Sequence, residues 1–417
     1  MSFLNQKNLI YFTILITPLY LVRFEIFHLP TNLLELFIIL NFIFWLYSKR
    51  KDGFKIDYNS LPWQIIVSIG LIFLGIILSI FTNDAIVIGL GILKSWLVLP
   101  LIFAYILYTT IENKLEIERV FLSIYLSASF VAIISLFYKL FNLTTFDGRL
   151  SSFYLSPNYL AMYLAPAVLV GFYFFIKTFS HKETKPAVES FPLPLINSGW
   201  GKFLTSSSLT VILLTLFFTY SYGAWFAVFL SIGIASFFYF PKKHFFIILI
   251  STFFFFFSFL TFQFNSQKFS SLLNFSERSS LASRLMIWKV SERLIIENPI
   301  LGIGPGNFQK KYLSLQPLFP LYLEWAVPQP HNIFLAFWLE SGILGLVGFV
   351  FLLYFVFYSL FKRTRGMNLS FILFSFFLYF IIHGMFDTLF WKNDLALVFW
   401  IFITIFLKTY NETFKEN

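Results

Sequence analysis

The sequence predicts an all-α fold, a polytopic integral membrane protein of about twelve transmembrane helices. The first observation behind this is composition. Of the 417 residues, 58% are hydrophobic, 22% are aromatic and only 12% are charged, with a mean hydropathy of +0.79. A soluble domain of this length cannot bury so much apolar surface. The second observation is that the apolar residues fall in runs of about 18–25 residues, the length at which a helix crosses the hydrocarbon core. Because backbone groups in lipid need partners within their own segment, these runs predict helices.

The predicted spans are separated by short polar turns. They lie near residues 8–27, 31–48, 63–82, 85–110, 118–140, 158–179, 206–221, 223–240, 244–263, 332–361, 369–386 and 394–410. The chain is thereby divided into about nine N-terminal spans (1–262), one large loop (263–331) and about three C-terminal spans (332–417). The first run has no small-residue cleavage site after it, so we expect a retained span rather than a signal peptide.

Positive charges indicate the orientation. If the N-terminus is cytoplasmic, the inside loops hold Lys49, Arg50, Lys51, Lys55, Lys114, Arg119, Lys182, Lys185, Lys242, Lys243, Lys362, Arg363, Arg365, Lys408 and Lys415. The outside turns 82–84 and 221–223 hold none. The positive-inside rule therefore predicts cytoplasmic termini and an extracytoplasmic loop over 263–331.

Charge and cysteine content exclude some classes of function. The formal net charge of +10 lies in short loops between apolar runs, which indicates membrane topology and a lipid bilayer as partner rather than nucleic acid. The chain has no cysteine, so a disulfide framework and a Cys-ligated metal site are both excluded.

The large loop has a pattern of its own. Leu281, Leu285, Trp288 and Ile295 recur at helical spacing and predict an amphipathic helix that begins at Ser279 or Ser280 and ends at Asn298-Pro299. A Gly-rich stretch, Gly302-Ile303-Gly304-Pro305-Gly306, follows it. This stretch lacks the Lys-Ser/Thr pair of a P-loop, so it predicts a tight turn rather than a phosphate cradle.

Several short motifs then occur in one order. They are Arg149-Leu150-Ser151-Ser152-Phe153 with Pro157-Asn158, Arg284 with Trp288, Asn298-Pro299 with the Gly-rich stretch through Phe308, His331-Asn332, Glu340-Ser341-Gly342-Ile343-Leu344-Gly345, and His383-Gly384-Met385-Phe386-Asp387. In these motifs the chain resembles the superfamily of O-antigen ligases and O-antigen polymerases, bacterial membrane glycan transferases. The resemblance covers roughly residues 145–400.

The resemblance implies a GT-C-like glycosyltransferase fold and a role in cell envelope polysaccharide biosynthesis. Members take a glycan from an undecaprenyl-diphosphate carrier at the outer face of the cytoplasmic membrane, without a metal or other cofactor. Ligases pass the glycan to a lipid A-core sugar of lipopolysaccharide or to another acceptor, whereas polymerases pass it to a second lipid-linked repeat unit.

The resemblance also implies site residues. His331 matches the catalytic histidine, Arg284 the loop arginine and Asp387 the late acidic residue of the superfamily. The chain departs from the pattern at Ser221-Tyr222-Gly223, where many members read Ser-Arg-Gly. The departure puts the contacts to the donor phosphates in question.

The residues themselves support the same chemistry. A diphosphate leaving group needs positive charge where negative charge develops. Arg149, Arg278 and Arg284 are all on the outside in the predicted topology, and Lys94 is an ionisable group within a predicted span. An acceptor hydroxyl needs a base that titrates near neutrality, which His331 supplies, and Asp387 is placed to orient its ring.

Simpler interpretations stay open for each residue. His331 fits an interfacial histidine with its polar edge in water, and Arg284 fits a solvated residue of a surface helix. Lys94 fits a lysine that extends its amine outward, and Tyr222 an aromatic anchor at the membrane interface.

Two other classes of function stay open as well. A transporter of lipid-linked sugars shares the hydropathy, although transporters usually place ionisable residues at mid-membrane between repeat halves. A non-catalytic membrane assembly protein is the other class, and Tyr222 in place of the arginine is its best support.

Overall fold

The computed structural model describes residues 5–414, except for 27–28, 53–60, 82–85, 181–198, 265, 267–268, 271–279, 320–326 and 363–367. Arg278, the outside turn at 82–84 and most of the inside loop around Lys182 and Lys185 therefore lie outside the described residues.

Helices make up nearly all of the described chain. The first seven are α1 (Gln6–Leu15), α2 (Leu33–Asp52), α3 (Trp63–Phe81), α4 (Ile86–Leu93), α5 (Leu99–Thr110), α6 (Lys114–Leu140) and α7 (Pro157–Ser180). The remaining eight are α8 (Gly199–Phe218), α9 (Tyr222–Tyr239), α10 (Lys242–Phe262), α11 (Ser280–Glu297), α12 (Phe308–Leu315), α13 (Ile333–Lys362), α14 (Asn368–Gly384) and α15 (Asn393–Phe414). Two short antiparallel strands, β1 (Arg23–Ile26) and β2 (Leu29–Asn32), pair with Arg23 opposite Asn32.

Nine helices in the described part of the chain are long and apolar enough to cross a membrane. The prediction of a polytopic helical membrane protein is therefore confirmed, whereas the predicted count of twelve spans is not. The helix over 369–384 is apolar but shorter. Helix α2 is not among the nine, and it carries Glu35 at one end and Lys49 and Arg50 at the other.

The run at 8–27 does not form one continuous helix. Helix α1 ends at Leu15, and a 3₁₀ turn over Thr17–Leu21 follows, with Pro18 at its start. Proline has no backbone N–H to continue an α-helical ladder, and the chain then enters the β1–β2 pair. The apolar residues of this run therefore form a helix, a 3₁₀ turn and a strand rather than one continuous helix.

The large loop contributes α11, which begins at Ser280 and ends at Glu297 as its spacing predicts. Its apolar face is buried against the loop and α13, with Val290 and Leu294 almost fully buried. The helix thus holds Arg284 at a fixed place beside the long helix α13.

Helix α13 is broken at Gly342, whose φ of 65° and ψ of −173° are not helical. The Gly-rich turn after α11 fills the break. The Ile303 amide donates to the Leu339 carbonyl oxygen at 2.7 Å, and the Ile343 amide donates to the Ile300 carbonyl oxygen at 2.9 Å. Backbone groups freed by a break within an apolar helix need partners inside the protein, and the turn supplies them. The turn and α13 are therefore interlocked.

Substitution of Gly342 with alanine should destabilise this interlock. A Cβ at position 342 would collide with the Ile300 carbonyl oxygen and would sit at a positive φ. We expect Gly342→Ala to cost about 1–3 kcal/mol of stability. Thermal unfolding in detergent measures this, with Gly70→Ala as control because nothing lies within 4 Å of a Cβ at Gly70. Equal unfolding midpoints for the two variants would contradict the interlock.

Candidate active site

His331 is held by contacts on both sides of its backbone. Asn332 caps α13, and its Oδ1 accepts from the amides of Phe334 at 2.9 Å and Leu335 at 3.1 Å. The Trp288 indole of α11 donates to the His331 carbonyl oxygen at 3.4 Å. His331 itself has a φ of 49°, in the left-handed region that residues other than glycine seldom adopt. Such a conformation persists only where its surroundings fix it, which is common at functional sites.

Asp387 joins the groups of this site. It follows α14 and is 99% buried, since its relative exposure is 1%. The Oδ1 atom lies 2.9 Å from His331 Nδ1, and Oδ2 lies 3.2 Å from the side-chain amide of Asn158 and 3.9 Å from Arg284 Nη2. The backbone amide of Thr388 also donates to Oδ1, at 3.1 Å. One carboxylate thereby connects residues from four separate segments.

Arg284 reaches this carboxylate from α11. Its Nε donates to the Phe386 carbonyl oxygen at 2.8 Å, and its Nη1 contacts the hydroxyl and carbonyl oxygens of Ser280. These bonds hold the guanidinium beside Asp387 and fix the angle at which it approaches.

Arg149 approaches the site from the segment between α6 and α7. Its Nε donates to the Thr219 carbonyl oxygen at 2.8 Å, and its Nη2 donates to Asn158 Oδ1 at 2.6 Å. Asn158 therefore links Arg149 to Asp387, and Arg149 enters the site through that link.

A cleft of about 270 Å³ lies beside these groups. Among the described residues, those that line it are Arg149, Asn158, Tyr220, Ser221, Tyr222, Gly223, Phe226, Ser280, Leu281, Arg284 and Phe386. The charged side chains of this lining are both arginines. The rest of the wall combines polar side chains with the apolar side chains of Phe226, Leu281 and Phe386, so the cleft suits an anion with an apolar attachment.

The electrostatics keep Asp387 ionised. Burial of its carboxyl raises the pKa, but the His331 ring, which donates to it, and the positive charge of Arg284 outweigh burial. The pKa of Asp387 is therefore held well below its ordinary value of 3.8. The ionised Asp387 carboxylate accepts a hydrogen bond from the protonated Nδ1 of His331. The lone pair of the ring then lies on Nε2, which can act as a base.

The loop that carries Asp387 is also tied to the segment that carries His331. Gln329, two residues before His331, donates from its side chain to the Trp391 carbonyl oxygen at 2.8 Å and contacts the Thr388 hydroxyl. Further along, Lys392 donates to the Tyr20 hydroxyl at 3.0 Å. The two loops therefore form one unit.

Lys94 does not line the cleft. It lies in a π-helical turn, Lys94–Val98, and its amine pairs with Glu35 at 2.8 Å and donates to the Pro30 carbonyl oxygen at 2.8 Å. Its contacts tie β2 and α2 to this turn. These contacts form an ion pair within the fold, and the assignment of Lys94 to the substrate stays a prediction.

Comparison with known proteins adds a family to this geometry. Residues 207–350 match the family model described as O-antigen ligase. This part of the chain is similar to O-antigen ligases. The resemblance noted from the sequence is thereby confirmed, and the apolar helices together with this match indicate a multi-pass protein of the bacterial inner membrane. A search of curated proteins finds no match.

The matched region, residues 207–350, contains only part of the site. His331, Arg284 and the Tyr220–Phe226 wall of the cleft fall within it, whereas Arg149, Asn158 and Asp387 lie outside its bounds. No specific role is predicted for Asn158 from the sequence, although this residue follows Pro157 at the start of a predicted span. A polar side chain at such a position is a signal of a functional residue. Among the described residues, no three His, Asp or Glu side chains gather as a metal site would need.

Replacing Asp387 should lower stability in a pH-dependent way. Because the pKa of Asp387 is lower in the folded protein than in the unfolded chain, the ionised group stabilises the fold at pH values above its ordinary pKa of 3.8. This contribution is lost as the pH falls through the pKa of the folded protein. We expect Asp387→Asn to cost about 3 kcal/mol near neutral pH, since it removes the buried carboxylate that pairs with the partly buried Arg284 guanidinium. The loss should shrink as the pH is lowered.

Denaturant unfolding in detergent at a series of pH values measures this difference. Asp147→Asn serves as control, because Asp147 is a partly exposed aspartate whose Oδ1 accepts from the Thr145 hydroxyl at 2.5 Å. An Asp387→Asn protein as stable as the Asp147→Asn protein at neutral pH would contradict the assignment of Asp387 as the ionised centre of the site.

Proposed function

We propose that the protein is an O-antigen ligase-type glycosyltransferase. It moves a glycan from an undecaprenyl-diphosphate carrier to an acceptor hydroxyl at the outer face of the cytoplasmic membrane. The observation that carries this proposal is one connected set of side chains. Two arginines line a cleft, and through Asn158 and Arg284 the cleft is joined to the ionised Asp387, which holds His331.

The donor diphosphate is assigned to the cleft. Arg149 and Arg284 supply positive charge there, and their planar guanidinium groups fit phosphate oxygens. Phe226 and Leu281 on the same wall offer an apolar surface to the start of the polyprenyl chain. Charge on the leaving diphosphate is then balanced by arginine, so the proposal needs no metal.

His331 is assigned as the general base. The acceptor hydroxyl oxygen attacks the anomeric carbon of the donor sugar and gives its proton to His331 Nε2. The bond from the anomeric carbon to the diphosphate oxygen breaks, and undecaprenyl diphosphate leaves with the electron pair. Asp387 keeps the ring in the tautomer with Nδ1 protonated and stabilises the positive charge that forms on it.

The proposal includes an orientation. With both termini in the cytoplasm, the segment 263–331 faces outward between about nine N-terminal and about three C-terminal spans, in a GT-C-like arrangement. This orientation is supported by the distribution of Lys and Arg. It is also supported by the contacts that bring α11, the loop before α13 and the loop after α14 together at one site.

A polymerase of lipid-linked repeat units is the closest alternative, since it uses the same donor and the same base. The two differ only in the acceptor, and the products separate them. A transporter is less well supported, because the charged groups of the site lie in loops and at helix ends rather than at the middle of spans.

Reconstituted transfer tests the function. Purified protein in liposomes receives a synthetic undecaprenyl-diphosphate oligosaccharide and an acceptor in the presence of EDTA, and the products are separated by size. Transfer of one intact chain identifies a ligase, and a ladder of lengthening lipid-linked glycans identifies a polymerase. We expect His331→Gln to lower turnover by about 10²–10⁴-fold, the range of general acid–base catalysis.

His244→Gln is the matched control for this test, because His244 lies at the start of α10, away from the cleft lining. Transfer that survives in His331→Gln at the level of the control would remove His331 from the mechanism. No transfer by the unchanged protein with either acceptor would contradict the proposed function.

An added positive charge in the cleft should strengthen donor binding. Tyr222 lines the cleft beside both arginines, so Tyr222→Arg gives the diphosphate a third cationic partner. We expect the KM for the donor to fall by about tenfold, the effect of one hydrogen bond to a charged group. Tyr222→Phe is the control and should leave KM close to its original value. An unchanged or higher KM in Tyr222→Arg would argue against a diphosphate in this cleft.

A further inference from the structure

Asn158 occupies the second position of α7, between an arginine of the cleft and the buried carboxylate. Its Oδ1 lies 2.6 Å from Arg149 Nη2, and its Nδ2 lies 3.2 Å from Asp387 Oδ2. Both partners are charged, and they come from segments on either side of it in the chain.

The two bonds fix which way the amide faces. An arginine can only donate, so the amide oxygen of Asn158 must be the atom that faces Arg149. The amide nitrogen then faces Asp387 and can only donate, so Oδ2 of Asp387 must accept. The orientation of the amide thus requires an unprotonated oxygen at this position.

The same bond sets the rotation of the Asp387 carboxylate. The torsion that turns a carboxylate about its Cβ–Cγ bond has broad wells, so hydrogen bonds decide its value. Oδ1 is directed to His331 Nδ1 at 2.9 Å because Oδ2 is held by Asn158 at 3.2 Å, while the Thr388 amide donates to Oδ1 at 3.1 Å. Without Asn158, the remaining partner of Oδ2 among the described contacts is Arg284 at 3.9 Å, a loose ion pair.

We propose that Asn158 is a positioning residue, which orients the Asp387 carboxylate for His331 and couples it to Arg149 in the cleft. Its effect on transfer rests on the proposed function, but its effect on His331 does not. Binding of a diphosphate to Arg149 is then coupled, through the Asn158 amide, to the Asp387–His331 pair that activates the acceptor.

The test uses Asn158→Leu, which keeps the approximate shape of the side chain and removes both hydrogen-bonding atoms. The matched control is Asn41→Leu. Asn41 is a buried asparagine of α2, and its side-chain amide donates to the hydroxyl of Thr13 on α1 at 2.7 Å. Both variants lose a hydrogen-bonded side-chain amide, but only Asn158→Leu loses it at Asp387.

The first readout needs no turnover. Histidine side chains are labelled with ¹⁵N in the full-length protein, and the His331 signals are assigned with His331→Gln. We expect the Nδ1 signal of His331 to move in Asn158→Leu and to stay in place in Asn41→Leu. An unmoved Nδ1 signal in Asn158→Leu would overturn the proposal.

The second readout is transfer in liposomes. We expect kcat to fall by about 10–100-fold in Asn158→Leu, the effect of a misplaced catalytic group, and to stay close to its original value in Asn41→Leu. Unchanged kcat in Asn158→Leu would overturn the role in transfer. A shifted Nδ1 signal in a protein that transfers no glycan at all would contradict the proposed function while supporting the orientation of Asp387 by Asn158.

Discussion

The organisation of this site depends on one buried carboxylate. An ionised group inside a membrane protein is unfavourable unless donors and positive charge surround it. Asp387 meets that requirement with His331 before α13, Arg284 on α11 and Asn158 on α7. Each partner belongs to a different segment, so the cost of burying the charge is offset only when all of them are assembled. The electrostatic requirement therefore gathers the parts that the proposed chemistry uses.

The fold could be predicted to the extent that it follows from hydropathy and chain punctuation. Apolar runs marked the long spans, and Ser280 with Asn298-Pro299 marked α11. The break at Gly342 was out of reach, because it depends on the turn around Ile300, more than forty residues earlier, fitting into α13. The irregular segment after α1 was missed because length and apolarity outweighed Pro18. Local patterns specify helices, and contacts between distant segments specify where they break.

The site could likewise be predicted only in part: the sequence indicates its residues but not the distances between them. His331, Arg284 and Asp387 could be singled out from residue chemistry together with the family resemblance, and Arg149 from its predicted side of the membrane. Their mutual distances could not, since His331 and Asp387 are 56 residues apart in sequence. Lys94 drew attention as a charge in an apolar run, yet its charge is balanced locally by the Glu35 carboxylate.

In the proposed mechanism, the cleft between Arg149 and Arg284 holds the donor diphosphate beside the base. An electron cryo-microscopy structure of the protein in nanodiscs with a non-hydrolysable undecaprenyl-diphosphate sugar analogue tests it most directly. We expect phosphate density within hydrogen-bonding distance of both guanidinium groups, with the anomeric carbon directed toward the Nε2 side of His331. Diphosphate density bound elsewhere, with the cleft filled by lipid or water, would contradict it.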